Sequence, residues 1–198
     1  MRIVGGRFGG RTLASPKPGI GAIRPTSDRL RESLFNVLAH GHGDAADGAR
    51  VLDLFAGTGA MAFEALSRGA AFALLVDDGA EARGLIRENQ MALGLAGYSR
   101  IFRRDATRLG PITGMAPFDL VFCDPPYRKG LGEKALASAR EGGWLESDAL
   151  IVLEEAADAE ITLPKEFEEL DRRDYGETQV RFLRIALGES PACSDERG

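Results

Sequence analysis

The run Asp124-Pro125-Pro126-Tyr127 ends an apolar stretch, Phe118 to Cys123, with an acid, two prolines and a phenol. Proline carries no backbone donor, so this turn offers a carboxylate and carbonyls as acceptors. Asp124 and the Pro125 carbonyl could together accept both hydrogens of an exocyclic amine, with the Tyr127 ring stacked on an extruded nucleobase. Such an amine is a weak nucleophile, because its lone pair is delocalised into the ring. Acceptors that favour a pyramidal nitrogen and aim it at an electrophilic methyl group would promote direct transfer without a covalent enzyme intermediate. Cys123 adjoins the motif but faces away from Asp124 in an alternating strand, and it reads as a core residue.

A second constellation is suited to a methyl donor. Asp53 lies near the end of the apolar run Val51 to Phe55, after which the chain turns through Gly57, Thr58 and Gly59 into a helix. Asp77 follows the next apolar run, 20 residues after Gly57, and Asp105 follows the third. Gly57, Gly59 and Ala62 also satisfy the G-x-G-x-x-A pattern, with Asp77 where a ribose-binding acid belongs, so NAD is a competing ligand. The departure is Asp53, whose charge opposes phosphate and suits a cation. A ligand with an ammonium for Asp53, a ribose for Asp77, an adenine amine near Asp105, a sulfonium and no phosphate is S-adenosylmethionine. The expected cofactor set is Asp53, Phe55, Gly57, Thr58, Gly59, Asp77, Asp105 and Ala106. Turn capping is the alternative for Asp53 and Asp105.

These residues must be positioned by what lies between them. From Arg50 the chain alternates short apolar runs with helical patterns, which reads as a parallel α/β sheet. "ALIVLEE" supplies a fifth strand, and the segments on either side of Gly176 read as a closing antiparallel pair. Upstream, Thr26 or Ser27 can cap a helix whose Leu30, Leu34, Val37 and Leu38 recur at helical spacing. With 198 residues, 44% of them hydrophobic, one domain is expected. Within it, residues 1–40 form an extension and helix, 41–187 a core and 188–198 a disordered tail. Trp144 reads as core. His40 and His42 fall short of a metal site, and no metal is expected. Two cysteines, no signal-like start and no membrane-length run predict a soluble cytoplasmic protein.

The net charge of −5 hides an asymmetry. Residues 1–40 hold seven Lys/Arg against Asp28 and Glu32, a local balance of +5, so the remainder carries −10. A basic end of this kind faces a polyanion or is a solvated surface.

"DPPY" together with "DLFAGTG" resembles the amino-methyltransferases of the Rossmann-like S-adenosylmethionine-dependent class. "RPT", "RESLFN" and the opening "MRIVGGRFGGR" are similar to the bacterial small-subunit ribosomal RNA guanine-N2 methyltransferases of the RsmD type. The resemblance runs nearly to Leu187. It implies an α/β fold with a mostly parallel seven-stranded sheet, a closing antiparallel strand and an N-terminal basic extension. It also implies a monomer that methylates the N2 amine of one guanine in 16S ribosomal RNA, within a partly assembled small subunit. Asp124, Pro125, Pro126 and Tyr127 are then catalytic, and Arg2, Arg7, Arg11, Lys17, Arg24 and Thr26 are candidate RNA contacts. Such enzymes place a second acid two positions beyond the strand-end acid. Here that position is Gly79, which leaves the ribose to Asp77 alone or with Asp78. Three rivals remain: methylation of DNA adenine, which shares "DPPY" but uses an extra segment for base reading; methylation of protein glutamine, which favours Asn at position 124; and a non-catalytic NAD-binding domain, which leaves "DPPY" unexplained.

Overall fold

The apolar runs pair into strands covered on both faces. In the computed structural model, which describes residues 1–16 and 26–186, seven strands form one sheet in the order β3-β2-β1-β4-β5-β7-β6. They are β1 (Arg50–Leu54), β2 (Phe72–Val76), β3 (Ser99–Phe102), β4 (Phe118–Cys123), β5 (Leu145–Ala156), β6 (Phe167–Tyr175) and β7 (Thr178–Ile185). Strands β1 to β5 are parallel, and β7 runs antiparallel to both β5 and β6.

Alternate residues feed two cores. Val51, Leu75, Leu120 and Phe122 pack with α1 (Asp28–Gly41), α2 (Ala60–Ser67) and α3 (Ala80–Leu93). Leu52, Leu74, Val121 and Cys123 pack on the other face with α4 (Leu131–Glu141). A strand buried on both sides has no polar face to show, which is why the sequence reads as continuous apolar runs. Trp144 is buried as expected, its Nε1 donating to the Gly110 carbonyl at 2.7 Å.

Of the two candidate caps for α1, Ser27 is the one used: its hydroxyl accepts from the Leu30 amide at 3.1 Å. Strand β5 begins at Leu145, four residues before the apolar run. The early part is polar, and a register shift between Phe118 and Leu120 lets it continue beside β4. Residues 1–13 fold into a hairpin, with Ile3 and Leu13 bonded to Arg11 and Met1 and a short 3-10 turn, Gly6–Phe8, at its tip. Ile3 and Leu13 join the core of α1 and α2. Lys17, Arg24 and the tail expected at 188–198 lie outside the described residues. Among the described residues no helix is long and apolar enough to cross a membrane.

Candidate active site

In this strand order β1 and β4 are neighbours although two strand–helix units separate them in sequence, so the crossovers diverge on either side and leave a crevice at their carboxyl ends. Leu54 pairs with Val76 of β2 and with Cys123 of β4. Phe55, Asp77 and Asp124 therefore leave the sheet at one level. Val76 pairs in turn with Phe102, which brings the segment leading to Asp105 to the same edge.

The glycine loop is built under constraint. Phe55, Gly57 and Gly59 have φ of 62°, 56° and 77°. At Gly59 a Cβ would stand 2.6 Å from Phe63 Cε2 and 2.7 Å from Leu75 Cδ2, so both backbone and packing exclude a side chain. Phe55 is half-buried and adopts the left-handed region without being glycine, a conformation uncommon outside sites where the surrounding structure enforces it.

Two carboxylates hold this loop from below and from the side. Asp53, only 3% exposed, accepts from the Ala62 amide at 3.2 Å and so satisfies one of the otherwise unpaired donors of the first turn of α2. Asp77 accepts from Gly57 N at 2.9 Å and from Gly79 N at 2.8 Å. Gly79 thus supplies an amide donor to Asp77. Burial pushes Asp53 up to about 7, with Asp77 adding repulsion and the Ala62 bond opposing both. Asp77 is also raised by burial, against the lowering effect of its two amide partners. Asp105 is exposed and caps the 3-10 turn Ala106–Arg108, accepting from Thr107 Oγ1 at 2.7 Å and Thr107 N at 2.9 Å. These bonds hold its carboxyl below the usual range. The geometry is the turn-capping alternative, and Ala106 behind it is buried.

Thr58 is buried, and its carbonyl accepts from Asn89 Nδ2 at 3.0 Å. Asn89 also exchanges two hydrogen bonds with the backbone of Ala14, tying the segment after the hairpin to the glycine loop. Sequence reasoning missed this residue. The signal was present: Ala82, Ile86, Asn89 and Leu93 lie on one buried stripe of α3, and a lone amide there needs partners.

On the other side of the crevice, Asp124 Oδ2 accepts from the Thr26 hydroxyl at 3.1 Å. Pro125 is buried, and a Cβ at Gly132 would come 2.8 Å from Leu153 and 3.5 Å from Pro125, so glycine lets α4 close against the turn. Pro126 is exposed. The Tyr127 hydroxyl donates to Glu154 Oε1 at 2.5 Å and lies 3.2 Å from Thr178 Oγ1. Burial and the Glu154 carboxylate raise the phenol well above its ordinary value. Glu154 is a second residue that sequence reading did not place. It falls just beyond the pairing of Leu153 with Cys123, at the strand level of Asp124. Cys123 is buried on the α4 face, where burial pushes its thiol up.

The basic end divides. Arg31, counted with the polyanion-facing charges, is 0% exposed and bonds Thr26, Asp28 and Arg2. It is a structural cation rather than a surface one, because α1 buries it against Glu64, 3.6 Å away. Arg2 is exposed and pairs with Asp28, the residue after the Ser27 cap of α1. Arg11 is exposed on the hairpin. Arg7 sits at the hairpin tip, its guanidinium 4.5 Å from the Phe8 ring and 5.5 Å from that of Tyr98. That tip is bonded to Ser67, at the end of eight-residue α2 remote from Gly59, about 12 Å along the helix.

A seven-stranded sheet in this order with one reversed strand, a glycine loop after β1 and an acid after β2 constitutes the Rossmann-like methyltransferase fold. The solved structure of the yhhF protein of Escherichia coli has the same architecture, with a TM-score of 0.78 and 33% identity over 93% of this chain and 97% of that one. The chain belongs to the family described as Conserved hypothetical protein 95, whose model matches residues 1–184. It is similar to ribosomal RNA small subunit methyltransferase D of Escherichia coli (strain K12), 39% identical over 97% of this chain and 94% of the relative. It is also similar to YlbH of Bacillus subtilis (strain 168), 35% identical over 93% and 98% of the two chains. The resemblance drawn from the motifs thus holds across nearly the whole chain.

Proposed function

We propose that the protein transfers a methyl group from S-adenosylmethionine to the N2 amine of a guanine in 16S ribosomal RNA of the small subunit. The observation that carries this reading is the register of Leu54 with both Val76 and Cys123, which sets the glycine loop and the amine-accepting turn side by side at one sheet edge.

The residues present fit this cofactor better than a dinucleotide. In a dinucleotide site the loop and first-turn amides face a pyrophosphate. Here the Gly57 and Ala62 amides donate to Asp77 and Asp53, so the loop presents carboxylates where phosphate would bind. Asp77 would accept from a ribose diol, with Asp53 beneath the loop as the countercharge to a cationic methionine end. When bound, S-adenosylmethionine supplies an electrophilic methyl on a positively charged sulfur. Asp124 and the Pro125 carbonyl hold the amine, and Tyr127 stacks on the base. Asp124 and the Pro125 carbonyl would thereby aim the amine nitrogen at that methyl group, and Asp124 would accept the proton that the amine loses on methylation.

Asp53 makes the cofactor step pH-dependent. A carboxyl raised from 3.8 to about 7 holds its proton more tightly in the folded chain, so its effect on stability worsens as pH rises between those values. A cationic ligand favours the ionised form. Affinity for S-adenosylmethionine is therefore expected to rise as pH increases through about 7, with proton release on binding at the acid side. Asp53→Asn should be weaker and flat in pH, as measured by calorimetry from pH 5.5 to 8.5. An unchanged slope in that variant would remove Asp53 from the cofactor's electrostatics.

Tyr127 was assigned through its ring alone, yet its hydroxyl is bonded to a buried carboxylate. Tyr127→Phe is expected to retain the stack but to lower the melting temperature, since a hydrogen bond to a charged group contributes about 1.5–3 kcal/mol. Tyr127→Ala should in addition weaken RNA engagement by about 1–3 kcal/mol, the range for one base stacked on an aromatic ring. Equal activity in the two variants would contradict a stacking role.

Residues 1–40 are the proposed RNA-facing extension, with Arg2 nearest the crevice and Arg7 and Arg11 along the hairpin. The substrate is proposed to be a partly assembled subunit and the enzyme a cytoplasmic monomer. Transfer of labelled methyl groups to undermethylated small-subunit RNA tests the reading, alongside calorimetry with S-adenosylhomocysteine and NAD. Label in RNA and binding of S-adenosylhomocysteine alone are expected. Binding of NAD alone would overturn it.

A further inference from the structure

Thr26 was expected to touch RNA, but its described contacts turn inward. Its hydroxyl reaches Asp124 across 98 residues of sequence, and its carbonyl accepts from Arg31 Nη1 at 3.0 Å. Arg31 cannot swing away. It is fully enclosed, with Nη2 donating to Asp28 Oδ1 at 2.8 Å and to the Arg2 carbonyl, and Nε 3.6 Å from Glu64 Oε2. The next residue, Ser27, is fixed as the cap of α1, and its carbonyl accepts from the Arg31 amide at 3.0 Å. Thr26 is therefore held at its backbone by a rigid cation one turn along the helix, while its side chain extends to the catalytic turn.

We propose that Thr26 is a positioning residue for methyl transfer, with buried Arg31 as its support. The terminal torsion of an aspartate is broad and nearly two-fold, so the covalent geometry of Asp124 leaves the plane of its carboxylate to its hydrogen-bond partners, of which the Thr26 hydroxyl is one. A hydrogen bond to Oδ2 biases that plane. That plane decides whether Asp124 and the Pro125 carbonyl converge on the two hydrogens of one amine or diverge from them. Acceptors misplaced by a fraction of an ångström lose alignment with the transferring methyl, even though the cofactor remains bound. The "RPT" and "RESLFN" segments meet in this arrangement, since Thr26 and Arg31 come one from each. The inference rests on the proposed function, and its test separates the two.

Wild type, Thr26→Val and Thr26→Ser are compared by single-turnover methyl transfer at saturating cofactor, by affinity for small-subunit RNA and S-adenosylhomocysteine, and by melting temperature. Thr26→Val preserves shape and removes the donor. It is expected to slow single turnover by about 10- to 100-fold, while both affinities stay within about three-fold. Thr26→Ser restores the hydroxyl and should recover most of the rate, which a purely structural role for the threonine methyl would not allow. A wild-type rate in Thr26→Val, or equal slowing in both variants, would overturn the inference. So would a loss confined to RNA affinity, which would return Thr26 to the RNA surface. If the wild type bound S-adenosylhomocysteine but transferred no methyl to RNA, the functional reading would fall, and the inference with it.

Discussion

Asp124→Ala is expected to abolish methyl transfer in practice, lowering the single-turnover rate by at least about 10²- to 10³-fold, the range for removal of one preorganised polar group at a reacting centre. The variant should still bind S-adenosylhomocysteine with nearly wild-type affinity, because the cofactor's proposed partners, Asp53 and Asp77, belong to β1 and to the turn after β2. Asp124→Asn sharpens the test. It keeps the size and one acceptor but brings an NH2 donor into a turn whose prolines offer none, so it should be intermediate in rate. Because Asp124 also accepts from Thr26, a melting curve must accompany the kinetics. Near-normal turnover in a folded Asp124→Ala variant would remove the proposed hold on the amine.

Glu64→Ala should be strongly destabilising. Its carboxylate is 0% exposed, accepts from Val4 N at 2.7 Å and Gly5 N at 2.8 Å, and bonds Arg68 Nε at 2.8 Å. It also faces the enclosed Arg31, whose Nε has no other acceptor among the described residues. Removing it breaks a buried ion pair and leaves Arg31 Nε and two amides without an acceptor, with Asp28 as the remaining carboxylate on Arg31, at a cost of about 3–5 kcal/mol. For a protein of this size that corresponds to a fall in melting temperature on the order of 10 °C. Hydrogen-exchange protection at Val4 and Gly5 should be lost before global unfolding, since both amides lose their acceptor. Glu64→Gln keeps one acceptor oxygen and should be milder. A melting temperature within a degree of wild type for Glu64→Ala would mean that the network contributes little.

The parts of the site legible in the sequence are those whose chemistry is local. Gly59 had to be glycine for the turn it makes, and Pro125 and Pro126 announce an acceptor turn wherever they lie. Strands β1, β2, β4 and the later part of β5 were readable because burial on both faces writes continuous apolar runs. What could not be read are the partners of polar side chains. Glu64 in "AMAFEALS" looks like the wet face of an amphipathic helix, yet all eight residues of α2 are buried, because the hairpin covers the face away from the sheet. Arg31 looks like one more basic residue until Glu64, 33 positions on, is seen beside it. Glu154 ends an apolar strand as many surface acids do, and only the β4–β5 pairing sets it against Tyr127. Asp105 shows the reverse case: the local reading, an acid capping a turn, is the geometry found.

The central claim is that the crevice methylates the exocyclic N2 amine of guanine in small-subunit ribosomal RNA. Nucleoside mass spectrometry of 16S RNA from a strain lacking this protein, before and after treatment with the purified enzyme and S-adenosylmethionine, tests it most directly. The account predicts one N2-methylguanosine missing from the untreated RNA and restored at the same site by Asp124-containing enzyme but not by Asp124→Ala. An unchanged N2-methylguanosine content in the deletion strain, or a methyl group restored on a different base, would contradict it.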